Sequence, residues 1–164
     1  MTKQSWKSIW YDDADITNRG PIRLNKNKIW QIISDNSYYN ISENSFGGCF
    51  KFTNYLQGSF NISNRDNKSS IQKRLNTIDL KFIYNGIGPN ILYKDANLTK
   101  IVENVEKTNC CFHKNAISIP GPIGVKGQLW NLYLDDTYRF SYGINLNDPS
   151  TIDIYILERN NIIV

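Results

Sequence analysis

The stretch QLWNLYLDDTYRFSYG, residues 128–143, decides how the rest of the chain is read. It divides into a strand ending at Leu134, an Asp135-Asp136 turn whose carboxylates accept backbone N–H bonds, and a return strand from Thr137 to Gly143, which is a hairpin. Arg139 follows the acidic pair closely enough for its planar fork to clasp a carboxylate across such a turn.

Outward from the hairpin the same short alternation recurs. Trp6, Ser8 and Trp10 alternate with Lys7, Ile9 and Tyr11; Ile78, Leu80, Phe82 and Tyr84 alternate with Asp79, Lys81 and Ile83; Ile152, Ile154 and Ile156 alternate with Asp153, Tyr155 and Leu157. Period two marks strands that commit one face to a core. Further strand-like runs are Lys28 to Ile33, Gly48 to Tyr55, Gly58 to Ser63 and Cys110 to Ile119. Turn chemistry falls between them at Asn18-Arg19-Gly20-Pro21, Asn64-Arg65-Asp66-Asn67, Asn85-Gly86, Gly88-Pro89-Asn90, Pro120-Gly121-Pro122 and Asn147-Asp148-Pro149. One segment has helical period: from Asp95 to Lys107, Leu98, Ile101, Val102 and Val105 recur behind the cap residues Asp95 and Asn97, which predicts a short helix over about 96–107. Eight or nine short strands and one helix match an antiparallel barrel or a sandwich, mainly β, better than a parallel α/β fold. With no repeat and no linker-like stretch, residues 1–164 read as one domain.

Composition bounds the function classes. A chain of 164 residues with 40% hydrophobic and 21% charged residues buries enough surface to fold without a disulfide or metal scaffold, and it is neither disordered, collagenous nor coiled coil. No apolar run reaches the roughly 20 residues of a membrane helix, and the start Met1-Thr2-Lys3-Gln4-Ser5-Trp6 lacks the apolar stretch of a secretion signal, so a soluble, mature or organelle-made protein is expected. The 22 Asn, 23 Ile and Lys excess over Arg suggest AT-rich coding, which accounts for part of the net charge of +4. The basic residues are scattered, with no run longer than Lys73-Arg74, and give nucleic-acid binding little support. Glycosylation-type triplets at Asn40, Asn61, Asn67 and Asn97 are what so much Asn yields by chance.

Catalytic constellations are thin. Cys49, Cys110 and Cys111 form no C-x-x-C spacing, and adjacent cysteines bridge only with strain, so a reducing compartment is expected. Cys111 and the single histidine, His113, would share a strand face, but two small buried thiols and a surface imidazole are the plainer reading. Asp12, Asp13 and Asp15 offer oxygen ligands without the Gly turn and closing Glu of a calcium loop, so a solvated loop is expected there. No phosphate-binding, dinucleotide, serine-esterase or zinc-peptidase motif occurs, which makes an enzyme the less expected outcome.

The aromatic residues remain. Four Trp, ten Tyr and seven Phe are generous for a small β domain, and in a barrel of about eight strands they either fill the interior or wall a cavity for one apolar ligand. Asp135, Asp136 and Arg139 either fasten their hairpin or place Arg139 at a barrel mouth, to meet a ligand carboxylate, carbonyl or phosphate. The candidate ligand contacts are Arg139, Asp135, Asp136, Trp10, Trp30, Trp130, Tyr133 and Tyr142.

The segment Tyr133 to Gly143 resembles the Y-L-D-x-D-L-R-I-S-R-G signature of the plastid lipid-associated proteins, also called fibrillins. As in that family, a Pro-containing stretch and a Trp precede it (Pro120, Pro122, Trp130), and a strand ending in Leu-x-Arg follows (Ile154 to Arg159). Trp6 to Tyr11 is similar to the family's first barrel strand, W-x-L-L-Y, and Lys28 to Ile33 with Tyr39-Asn40 to its Q-x-I…N segment. Tyr142 stands where the family usually has Arg, and Thr137 where it usually has an acid. The resemblance implies a lipocalin-like β-barrel in a plastid or chloroplast, associated with plastoglobules or another lipid surface. It implies a binding or structural role toward a lipid, carotenoid, quinone or fatty acid, with no required cofactor and no nucleic acid; without it, a cytoplasmic location is expected. Two alternatives accompany this expectation. One is a chromophore lyase similar to those that use such barrels to present a bilin, a tetrapyrrole, to a phycobiliprotein subunit, with Asp135 or Asp136 steadying the pyrrole nitrogens. The other is a solid-core interaction module.

Overall fold

Alternating strands joined by tight turns close here into a ring. The computed structural model describes residues 4–12, 21–34, 37–63, 76–89 and 117–160. They form β1 (Gln4–Asp12), β2 (Ile22–Ser34), β3 (Ser37–Phe46), β4 (Phe50–Ser63), β5 (Asn76–Pro89), β6 (Ile117–Ser118), β7 (Lys126–Leu134), β8 (Tyr138–Asn145) and β9 (Asp148–Asn160). Every pairing is antiparallel, in the order β4-β3-β2-β1-β9-β8-β7-β5, and β4 pairs with β5 to close the ring. The fold is therefore a closed eight-stranded antiparallel barrel, with β6 as an extra strand against β5 at Gly86 and Ile87. No helix occurs among the described residues, and the 96–107 segment, Cys110, Cys111 and His113 lie outside them.

The 128–143 hairpin forms as its residues dictate. Asp135 Oδ1 accepts the backbone N–H groups of Thr137 and Tyr138 at 2.7 and 2.6 Å, which fixes the reversal between β7 and β8. The β3–β4 turn instead uses Gly47 and Gly48 at φ 58° and 78°, a conformation in which a Cβ is strained. Two expectations are corrected. Gly48 to Tyr55 and Gly58 to Ser63 are one strand, β4, whose register shifts at a bulge between Gln57 and Gly58, and Asn85-Gly86 continues β5 instead of turning.

Directly opposed residues share a face, so the register sorts the wall into inside and outside. The interior core comprises Trp6, Tyr11, Ile29, Tyr38, Ile78, Leu80, Leu129, Tyr155 and Leu157. On β9 it is Tyr155 and Leu157 that join it, while Ile152 on the opposite face is exposed. Strands β2 to β4 are buried on both faces, because Trp30, Ile32, Tyr39, Ile41 and Tyr55 alternate with the inward residues and are as inaccessible. Fully burying such large side chains contributes roughly 1.5–3 kcal/mol each.

Candidate functional site

The interior is not filled along its length. Two adjoining chambers of about 140 and 320 Å³ lie toward the end where β8 finishes and β9 begins. They share Asn40, Phe82, Pro122, Asp153 and Tyr155. The smaller adds Leu80, Val125 and Leu129 beside Lys126, Gln128 and Asn145 and is mainly apolar, whereas the larger adds Leu24, Ile29 and Leu56 and is nearly as polar as apolar. Polar groups come mainly from one strand: Asn40, Ser42 and Asn44 of β3 face the larger chamber, with Asn54 of β4 opposite Ser42. The Pro120–Val125 turn lies at this end, held by the Asn85 side-chain amide donating to the Pro120 carbonyl and by Gly124 N–H donating to the Phe82 carbonyl.

A tyrosine pair shapes the chamber wall. Tyr11 and Tyr155 stack with centroids 4.8 Å apart, and the Tyr155 hydroxyl donates to Asp153 at 3.2 Å. Gly143 makes room for this stack, since a Cβ there would stand 3.0 Å from Tyr155. Burial holds the phenols of Tyr38 and Tyr155 protonated well above the ordinary tyrosine range, reinforced in both by the Asp153 charge. Both are therefore neutral hydrogen-bonding groups on the chamber wall at any physiological pH.

Beyond the chambers, toward the opposite end, Arg139 is buried inside the barrel, only 2% exposed. It donates from Nη2 to Gln31 Oε1, and its guanidinium lies 5.2 Å from the Trp6 ring. Arg159 is also 5.2 Å from that ring, from the rim, where it pairs with Asp136 at 3.3 Å. Burial lowers the Arg139 pKa from the ordinary arginine range to about 10, partly offset by Tyr38 and Tyr155. No carboxylate among the described residues pairs with it. Arg139 Nε, Gln31 Nε2, Trp6 Nε1 and Ser8 Oγ are all buried without a hydrogen-bond partner among the described residues. Nearby polar groups are satisfied: Ser141 donates to Asn131 and Asn131 to Asn76, each at 2.6 Å.

The residues singled out from sequence do not converge. Arg139 is not at a mouth and clasps neither turn carboxylate; it points inward because it opposes Leu157 on the core face. The exposed turn keeps Asp135 and Asp136, and Asp136 takes Arg159 instead. Tyr133, 51% exposed, donates to Asp135, and that bond, with the two turn N–H groups, lowers the Asp135 pKa below its ordinary value. Trp10 is turned outward and 45% exposed, because a bulge between Ser8 and Trp10 reverses the alternation and sends Tyr11 inside. Trp30 is buried on the outward face of β2 beneath Lys7, while Trp130 and Tyr142 oppose one another on the outer wall. None of the eight lines either chamber. The chambers are built instead from Tyr38 and Tyr155, which belong to the aromatics expected to fill or wall the interior, and from Asn40, Ser42, Asn44 and Asp153, which the sequence reading did not single out as ligand contacts. Their signal was the polar alternation Tyr38-Asn40-Ser42-Asn44, the mirror image of the apolar alternation that marks a strand with a dry core.

Asp12 ends β1, and Asp13 and Asp15 lie outside the described residues. Among the described residues no helix is long and apolar enough to cross a membrane, and no group of His, Cys, Asp and Glu is placed to hold a metal ion. Compared with known proteins, the chain matches no family model, no curated protein and no solved structure.

Proposed function

We propose that this chain binds and carries one small amphipathic ligand inside its barrel. The observation that carries the reading is the pair of adjoining chambers, a mainly apolar smaller one opening into a larger one of mixed polar and apolar walls, in a barrel otherwise well filled. Ligand pockets commonly span roughly 300–1,000 Å³; the larger chamber lies at the small end of that range and the smaller one below it. That favours a single-chain lipid or a compact ring compound over a carotenoid or a tetrapyrrole. Burying about 200 Å² of ligand apolar area contributes roughly 5 kcal/mol, which the cost of immobilisation reduces to a modest affinity. The likeness of residues 133–143 to plastid lipid-associated proteins supports the same kind of role, and a plastid setting is part of the proposal. The chambers weigh against a solid-core module. The lyase alternative loses its motivation, since Asp135 and Asp136 face solvent.

Calorimetric titration with single-chain lipids, quinones, carotenoids and bilins tests this, using the wild type and Ser42→Phe, which fills the larger chamber. Saturable one-to-one binding by the wild type, lost in Ser42→Phe, is expected. A panel that never saturates, or a variant that binds as well as the wild type, removes the proposal.

A further inference from the structure

Trp6, Ser8, Gln31 and Arg139 form one neighbourhood: Trp6 opposes Gln31, Ser8 opposes Leu157, and Leu157 opposes Arg139. All four side chains are at least nine-tenths buried, and together they hold three N–H donors and one hydroxyl with no hydrogen-bond partner among the described residues. The imbalance has a sign, because Arg139 Nε, Gln31 Nε2 and Trp6 Nε1 can only donate. Buried polar atoms normally find partners, and a buried guanidinium normally finds an anion. The neighbouring Asn131 accepts from Ser141 and donates to Asn76; unpartnered buried atoms also occur at Ser5 Oγ, Trp30 Nε1 and Asn85 Oδ1, but three N–H donors gather only around the guanidinium among the described residues. Tyr38 and Tyr155 connect the two regions: both line the smaller chamber, and both interact electrostatically with Arg139.

We infer that Arg139, Gln31 and Trp6 form a subsite for the anionic head group of the ligand, a carboxylate that enters past Tyr38 and Tyr155 while the apolar chain occupies the chambers. This rests on the chambers being a ligand site. A carboxylate supplies two acceptor oxygens to a charged, water-excluded donor set, the arrangement in which such bonds are strongest. It also neutralises the buried Arg139 guanidinium, which pairs with no carboxylate among the described residues. The ligand class is then a single-chain carboxylic acid, and Arg139 sets the specificity of the barrel for acid over alcohol.

Affinities for decanoate and decanol, which share a chain and differ in charge, test this by titration of the wild type and Arg139→Met. Hydrogen bonds to a charged group predict a roughly tenfold to hundredfold preference for decanoate in the wild type. In Arg139→Met that preference should vanish while decanol affinity stays. Equal affinities in the wild type overturn the subsite and leave the chamber reading standing, whereas no binding of either ligand overturns both. If sodium acetate or chloride raises the melting temperature as much as decanoate does, through Arg139, the site holds a free small anion and the head-group assignment fails. Should Arg139→Met not fold, the wild type with decanoate labelled at its carboxyl carbon still decides by NMR. A bound carboxyl that stays ionised well below the usual carboxylate range supports the subsite, and one that titrates as it does in water overturns it.

Discussion

Replacing Arg139 by Met should change the stability of the unliganded barrel by no more than about 2 kcal/mol, although the side chain is among the most buried of the described residues. The fall in its pKa to about 10, burial outweighing the raising effect of Tyr38 and Tyr155, puts the net penalty on the charge at about 3 kcal/mol at 1.36 kcal/mol per unit. Against that cost stand the contact with the Trp6 ring, about 2 kcal/mol in a desolvated setting, and one charged hydrogen bond to Gln31, about 1.5–3 kcal/mol. The sums nearly cancel. Arg139→Met combined with Gln31→Leu also removes the amide left unbonded, and it should be at least as stable as the wild type. Urea unfolding followed by far-ultraviolet circular dichroism reads the difference, since 1 kcal/mol moves the midpoint by about 0.5 M at a slope of about 2 kcal/mol/M. A loss of 3 kcal/mol or more in the double variant refutes the reasoning, because that is the signature of breaking a compensated buried pair. The pH dependence adds a check. A base whose folded pKa is depressed leaves the unfolded chain holding more protons once pH rises past about 10, so from there upward the wild type should gain stability relative to Arg139→Met.

Other positions give independent tests. Asp135 has a depressed folded pKa, so its contribution is present above its ordinary value of 3.8 and is lost as pH falls through the folded value; Asp135→Asn should flatten that part of the acid unfolding curve. Gly143→Ala pushes a methyl to 3.0 Å from Tyr155, and thermal unfolding should show a loss of about 1–2 kcal/mol, whereas an unchanged melting temperature would mean the tyrosine stack is loose. Tyr11→Ala removes the ring stacked on Tyr155 and should cost about 3–5 kcal/mol by urea titration.

The β architecture was legible because most strands put apolar groups at alternate positions and because the Asp135-Asp136 turn carries its own chemistry. Strand β3 was not, and the reason lies in the site. Its inward residues Tyr38, Asn40, Ser42 and Asn44 face a chamber, so the strand that shapes the candidate site lacks the apolar alternation by which strands are found. Trp10 was assigned the face of Trp6 because a bulge changes the phase of a strand without leaving a mark in composition. Arg139 was correctly noticed and wrongly placed. A charge on a strand is ordinarily read as solvent-facing, and only the pairing with Leu157 shows that it points inward.

The seam between β1 and β9 also bears on how the protein is made. Ser5 to Asp12 pair with Asn160 to Ile154, so β1 finds this partner only after β2 to β8 have been synthesised. At about 5–20 residues per second, the interval between Asp12 and Asp148 is on the order of ten seconds. Through that interval β1 has an open edge beside the apolar Trp6, Ile9 and Trp10, the kind of surface that recruits other chains. Yield in the cell should therefore respond to chaperone supply and translation speed more than to changes in the finished barrel's stability.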